Sequence, residues 1–350
     1  MSVYTYKCPH CSGGLNFDPE SQSFTCEYCE SHFSKEEVEA NQPKIDPEEK
    51  RMDSEPESDE AVFYSCPSCG AEVLTDRTTA ATTCFYCHSS VVLSDRLLGA
   101  FRPDAVIPFT IPKEQAIETF LQWTRKKWFL PKDFSSDRQI AKVTGVYFPV
   151  WYVDCNVFAD LSAKATKIRT WQDHNFRYKE TSFYNLSRSG EVRISNIPKK
   201  ALNKKESELY ETVLPFDETK AEMFTTAYLS GFQAEKRNID SEMLQDEVKN
   251  ETMRYSRNLF DQTITGYTTV QSANFHINKM NVKWKYTLLP VWTMTYQDLK
   301  QTYYYVMNGQ TGKLSGKLPV DRKKLGLVSA GISTLIFIVL LLVNRGYLGA

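Results

Sequence analysis

Eight of the nine cysteines in this 350-residue chain fall into four Cys-x-x-Cys pairs. Cys8 and Cys11 are followed after fourteen residues by Cys26 and Cys29. Cys66 and Cys69 are followed after the same interval by Cys84 and Cys87. A Cys-x-x-Cys turn offers two sulfurs from one tight loop, and two such turns complete a tetrahedral shell of four thiolates. The spacing therefore predicts two metal sites, Cys8/Cys11/Cys26/Cys29 and Cys66/Cys69/Cys84/Cys87. Iron suits such a shell, but four sulfurs on two hairpin turns are more often a structural zinc site. A shell filled by four sulfurs leaves no open position to activate water, so both ions are expected to be structural.

Each interval must fold into strand, turn and strand to bring its two cysteine turns together. The first contains GG and NFDPES, both turn material. In the second, AEVL and ATTCF flank TDRTT. Gly70 follows Cys69 directly, where a left-handed residue is expected; in the first copy Ser12 holds that place and Gly13 comes next. His10, His32 and His88 lie close by and are expected to face solvent, because the sulfurs already complete each site. A unit of about thirty residues is too small to bury a core. Metal binding would supply most of its folding free energy, on the order of 10 kcal/mol. The first unit sets Lys7 and Lys35 against Asp18, Glu20, Glu27, Glu30, Glu36 and Glu37. Without a basic face, protein contact is the favoured role and nucleic-acid binding the lesser one.

The whole chain is close to neutral, at −1, with 41% hydrophobic residues. Residues 35–62 are acidic, contain three prolines and have almost no apolar side chains, the composition of a flexible spacer. From Gly99 the texture changes. A helix is expected after Thr110, its cap, with Pro112 in the first turn and Pro131 beyond its end. The β-branched and aromatic run from Gly145 predicts strands. Two helices are expected after Asp217 and Asp240, the second with Met243, Leu244, Val248 and Met253 near helical spacing. Strands return from Tyr267, and Asn308-Gly309 is the expected turn of a final hairpin. Pro-Val-Trp occurs in YFPVWY and again in LLPVWTMTY, which points to aromatic core packing in two similar strands. The GQTGK run lacks the spacing of a phosphate loop. His174 and His276 sit in no catalytic motif, and no enzyme activity is expected. Cys155, alone in an apolar strand, is expected to be a buried structural thiol.

Leu325–Asn344 carries no charge, and about twenty such residues cross a hydrocarbon layer as a helix. Arg322, Lys323 and Lys324 precede it and only Arg345 follows, which would keep the large N-terminal part in the cytoplasm and the short tail outside. The start of the chain lacks a basic region followed by an apolar core, so no signal peptide is expected. Small residues Gly326, Ser329, Ala330 and Gly331 would let two such helices approach.

With its paired Cys-x-x-Cys cassettes, the phrases GVYFPVW, LLPVW and NGQTGK, and one C-terminal span, the sequence resembles bacterial membrane-anchored double zinc-ribbon proteins of the TFIIB type. That resemblance implies a membrane or envelope stress complex, with a phage-shock-type protein and a flotillin-like protein as partners. The expected fold is α+β, in five parts. These are a zinc ribbon over 1–34, the acidic linker over 35–62, a second ribbon over 63–98, an α+β body rich in antiparallel strands over 99–320, and a basic flank, transmembrane helix and short tail over 321–350. The expected function is a scaffold that recruits cytosolic or membrane proteins; the alternative is a membrane-tethered nucleic-acid-binding or regulatory protein.

Overall fold

A computed structural model describes residues 3–41, 62–297 and 302–348. The chain opens with β1 (Val3–Tyr4), then a small antiparallel sheet of β2 (Leu15–Asp18), β3 (Ser23–Cys26) and β4 (His32–Phe33). Its inward positions are Leu15, Phe17, Phe24 and Phe33, all buried. Helix α1 (Lys35–Ala40) closes this unit with Val38. Its start is a capping box: the Ser34 hydroxyl accepts from the Glu37 amide, and the Glu37 carboxylate accepts from the Ser34 amide. The acidic segment thus begins as a helix, and its remaining residues, 42–61, lie outside the described ones. The second cassette holds β5 (Val62–Ser65), β6 (Glu72–Thr75), β7 (Thr79–Thr83) and β8 (Ser90–Leu93).

The body starts with β9 (Ala105–Val106), α2 (Lys113–Arg125) and α3 (Asp137–Ile140). Two very long strands follow, β10 (Thr144–Asp173) and β11 (Phe176–Lys200), joined at His174. After β12 (Glu222–Met223) and β13 (Gln233–Glu235) come α4 (Ser241–Gln262) and a third long strand, β14 (Thr269–Gln297). The chain then forms β15 (Thr302–Asn308), β16 (Leu314–Gly316) and α5 (Arg322–Leu348). The antiparallel strands β11, β10 and β14 make a long blade. Along β10 the inward residues Cys155, Val157, Ala159, Leu161, Ala163 and Ala165 are buried, at the two-residue period of a strand with one covered face.

Helix α4 supplies much of that cover. Its buried stripe is Val248, Thr252, Ser256 and Phe260, each four residues from the last. The expected stripe included Met243 and Met253, which are exposed. The reason lies in the strand beneath: small Ala and Cys side chains admit a helix face of Thr and Ser at close range. The Thr252 hydroxyl donates to the Cys155 sulfur at 3.4 Å, and burial pushes that thiol's pKa up, as expected for a structural cysteine.

The main sheet has the order β1-β8-β7-β13-β10-β14-β15-β16, with β11 paired to β10 and the short β9 to β14. Both cassettes are therefore joined to the body by more than the chain. β7 and β8 of the second lie in its sheet, through Ala81 opposite Ala234. The first docks on residues 228–232. Phe17 packs edge-on against Tyr228, the Phe17 amide donates to the Ser230 carbonyl at 3.0 Å, and the Ser230 hydroxyl donates to the Leu15 carbonyl. These contacts supply what each small unit lacks: a cassette too small for its own core borrows the body's.

Other expectations also shift. Thr110 does not cap α2; its hydroxyl donates to the Gln310 carbonyl at 3.0 Å, and the cap position is Pro112. After Asp217 there is no α-helix but two 3-10 turns, Glu218–Lys220 and Thr226–Leu229, around β12. Phe224, Ala227, Tyr228 and Leu229 are buried there between sheet and first cassette, a demand on several directions that one helical stripe does not meet. The final hairpin turns over Gly309–Lys313, with Asn308 as the last strand residue. Buried Asn308 instead ties loops together: its amide nitrogen donates to the Val213 and Pro215 carbonyls, and its side-chain oxygen accepts from the Gln310 and Thr311 amides. A Cβ at Gly309 would lie 2.4 Å from the Phe109 ring, so glycine is needed there for close approach. The two Pro-Val-Trp runs lie in neighbouring strands, with Tyr147 opposite Pro290 and Pro149 opposite Leu288. Trp151 and Trp292 are both buried, as aromatic core packing requires.

Candidate metal centres

The four cysteine turns share one backbone design. In each, the amide of the first cysteine donates to a carbonyl five residues on, and its carbonyl accepts from an amide four residues on. The pairs are Cys8 with Gly13 and Ser12, Cys26 with Ser31 and Glu30, Cys66 with Ala71 and Gly70, and Cys84 with Ser89 and His88. The residue after each second cysteine is left-handed: Ser12 at φ 62°, Glu30 at 55°, Gly70 at 74° and His88 at 58°. Only one of the four is the glycine that favours this region. The turns hold it because both hydrogen bonds close only through that conformation.

These turns bring all eight predicted ligands into two groups. The sulfurs of Cys8, Cys11, Cys26 and Cys29 lie within 4.8 Å of one another, and so do those of Cys66, Cys69, Cys84 and Cys87. The nearest pairs are Cys11–Cys26 at 3.4 Å, Cys8–Cys29 and Cys66–Cys87 at 3.6 Å, and Cys69–Cys84 at 3.8 Å. A tetrahedron with metal–sulfur bonds of about 2.3 Å has edges of about 3.8 Å, so the donor sets fit a zinc-sized ion. A disulfide would need about 2.05 Å, and all nine cysteines are free thiols. His10, His32 and His88 belong to neither group. The His10 ring faces the Ser31 hydroxyl at 3.0 Å and the His32 ring faces the Thr25 hydroxyl at 3.1 Å.

Electrostatics separate the sulfurs in the same way in both groups. The Gly13 amide draws the Cys11 thiol down, but the sulfurs of Cys26, Cys29 and Cys8, with desolvation, push it up to about 12. The hydroxyl and amide of Ser31 hold Cys29 down at about 6. In the second group Cys69 is pushed up to about 12 against the Ala71 amide, and the hydroxyl and amide of Ser89 hold Cys87 at about 6. Four crowded sulfurs shed all their protons only against a cation. Ser31 and Ser89 escaped the sequence reading. Their signal was there, since each stands two residues after the last cysteine of its cassette.

The turns also present side chains outward. Tyr28, Phe85 and Tyr86 are all more than two-thirds exposed. In the second cassette Phe63 and Leu74 face each other across β5 and β6 and are exposed as well. At the other end of the chain, Arg322–Leu341 is long and apolar enough to cross a membrane, with a mean hydropathy of 2.1, and none of its apolar window is buried.

The molecule thus belongs to a class defined by two four-cysteine centres set against a mainly antiparallel α+β body, with one exposed apolar helix at the C-terminal end. No family model matches the chain, and no solved structure does. The protein YdjG of Bacillus subtilis (strain 168) is 34% identical over 342 residues, covering 98% of each chain. The chain belongs to the family of YdjG.

Proposed function

We propose that the chain is a membrane-anchored scaffold. Two structural zinc ions fix its cassettes as ribbons of the TFIIB type, α5 crosses the bilayer once, and the cassettes and body recruit proteins from the cytoplasmic side. The observation that carries this reading is the pairing of closed four-sulfur shells with exposed Phe63, Leu74, Phe85 and Tyr86 on the second cassette. Closed shells hold shape without chemistry. Exposed apolar side chains grouped on one small unit suit a protein contact. An anchored scaffold raises the local concentration of what it binds without tight affinity. The three basic residues at the start of α5, ahead of its uncharged run, and the single Arg345 beyond that run support a cytoplasmic N-terminal part and an outer tail in the cell membrane. By resemblance, the partners are a phage-shock-type protein and a flotillin-like protein in an envelope stress complex.

The experiment is affinity capture of the full chain from detergent-solubilised membranes, with elemental analysis of the same sample. Two zinc ions per chain and a protein partner lost on Phe85→Ser plus Tyr86→Ser are expected. Recovery of nucleic acid alone, released steeply as salt rises, would replace the scaffold by a membrane-tethered nucleic-acid binder.

A further inference from the structure

The blade is longer than its cover. β14 pairs with β10 only as far as Thr166 opposite Thr269, so Lys167–Asp173 of β10 is paired with β11 alone. Every residue from Trp171 to Glu180 is exposed. A bare two-stranded hairpin is marginal in water, and this one carries no apolar core to offset that. Its side chains instead form a pattern. Trp171 stacks on Tyr178 directly across the strands, ring centres 5.5 Å apart and planes 14° from parallel. The Arg169 guanidinium sits 5.6 Å from the Trp171 ring centre. Phe176, beside the turn, is 68% exposed. From Lys164 to Gly190 the hairpin has six Lys and Arg against two acidic residues, in a chain that is nearly neutral overall.

We propose that this tip is a peripheral docking site for an anionic lipid bilayer. Indole and phenol rings settle at the boundary of headgroup and hydrocarbon, and the surrounding cations are drawn to anionic headgroups. Charge complementarity selects an anionic partner. The ring geometry selects lipid over nucleic acid. Base stacking uses open aromatic faces, and both Trp171 and Tyr178 spend a face on each other, with Arg169 over the indole as well. Insertion at a bilayer boundary needs no free face. The contact is separate from α5. That helix is rooted at the opposite end of the blade, where the Asp321 amide donates to the Phe129 carbonyl and the Lys324 ammonium to the Leu130 carbonyl. The 30 residues from Thr144 to Asp173 span about 95 Å at a rise of about 3.3 Å per residue. Two attachments that far apart would fix the blade's orientation, which one helix leaves free.

The test places the full chain in nanodiscs of phosphatidylcholine, which gives α5 a bilayer and leaves the tip without an anionic one. Entry into the disc reads the anchor; flotation of the discs with added vesicles reads the tip. Vesicles of equal parts phosphatidylglycerol and phosphatidylcholine are expected to carry the discs up, and phosphatidylcholine vesicles are not. Lys167→Glu with Arg169→Glu is expected to abolish flotation. Trp171→Ala with Phe176→Ala is expected to weaken it at least tenfold, and each neutralised basic residue roughly fivefold. Unchanged metal content per chain verifies that the variants are folded. Wild-type discs that ignore phosphatidylglycerol, variants that float like the wild type, or a tip that retains a single-stranded oligonucleotide in place of vesicles would each overturn the assignment.

Discussion

The two cassettes have the same cysteine turns and different neighbours. The first folds a three-stranded sheet and a capped helix around its own Phe24, Phe33 and Val38, then rests an aromatic edge on residues 228–232. The second keeps only β5 and β6 to itself and gives β7 and β8 to the main sheet. The same four-cysteine donor set is thus built into two mechanical settings. In one a bound ion would shape a docked module; in the other it would tie down strands that continue the body.

Ligand replacement gives the largest separation of the two. Cys26→Ser and Cys84→Ser should each lower zinc from two ions per chain to one, removing on the order of 10 kcal/mol of cassette folding. Thermal unfolding followed by tryptophan fluorescence should keep the body's transition in Cys26→Ser and lower it markedly in Cys84→Ser. Equal effects would erase the distinction. Next comes Gly231, left-handed at φ 88°, where an added Cβ would meet Asn16 of the first cassette at 3.3 Å. Gly231→Ala should cost about 1–2 kcal/mol and loosen only the first cassette, seen as faster amide exchange in β2 with β7 unchanged. Smaller again, Ser34→Ala removes the capping box and should cost about 1 kcal/mol, confined to α1 and read from its exchange rates.

The smallest effect reports on the body itself. Burial pushes the Glu218 carboxyl from its ordinary 4.5 to about 7, with Asp154 adding to the rise and Lys285 opposing it. Its neutral form is the favoured one in the folded chain. The stability it gives is present below about pH 4.5 and is lost as pH rises toward 7. Urea midpoints measured across that window should slope in the wild type and flatten in Glu218→Gln. The slope should survive Cys26→Ser and fade in Cys84→Ser if the second cassette braces the body.

The cysteine centres were legible because their information is local: two residues between ligands set a turn, and the repeated interval sets a hairpin. Helix α4 and the exposed apolar helix α5 were legible in outline for the same reason. The sheet order was not, because it depends on pairings such as Ala81 with Ala234 that no short window contains. The blade's length was hidden too. Its turn is Asp173-His174-Asn175-Phe176, without the glycine or proline that usually marks one, and His174 supplies the left-handed residue at φ 43°. The buried stripe of α4 misled because hydroxyls lie where methionines were expected. Thr110 misled because the Gln310 carbonyl outcompeted the helix end for its hydroxyl.

Strand β1 pairs with β8, Val3 opposite Leu93 and Tyr4 opposite Val92, so the front of the chain is laced to the far side of the second cassette. A single cut anywhere in residues 42–61 would therefore sever the backbone without parting the molecule. The short N-terminal fragment would travel with the remainder through any non-denaturing column, and only denaturant would reveal that the chain had been divided.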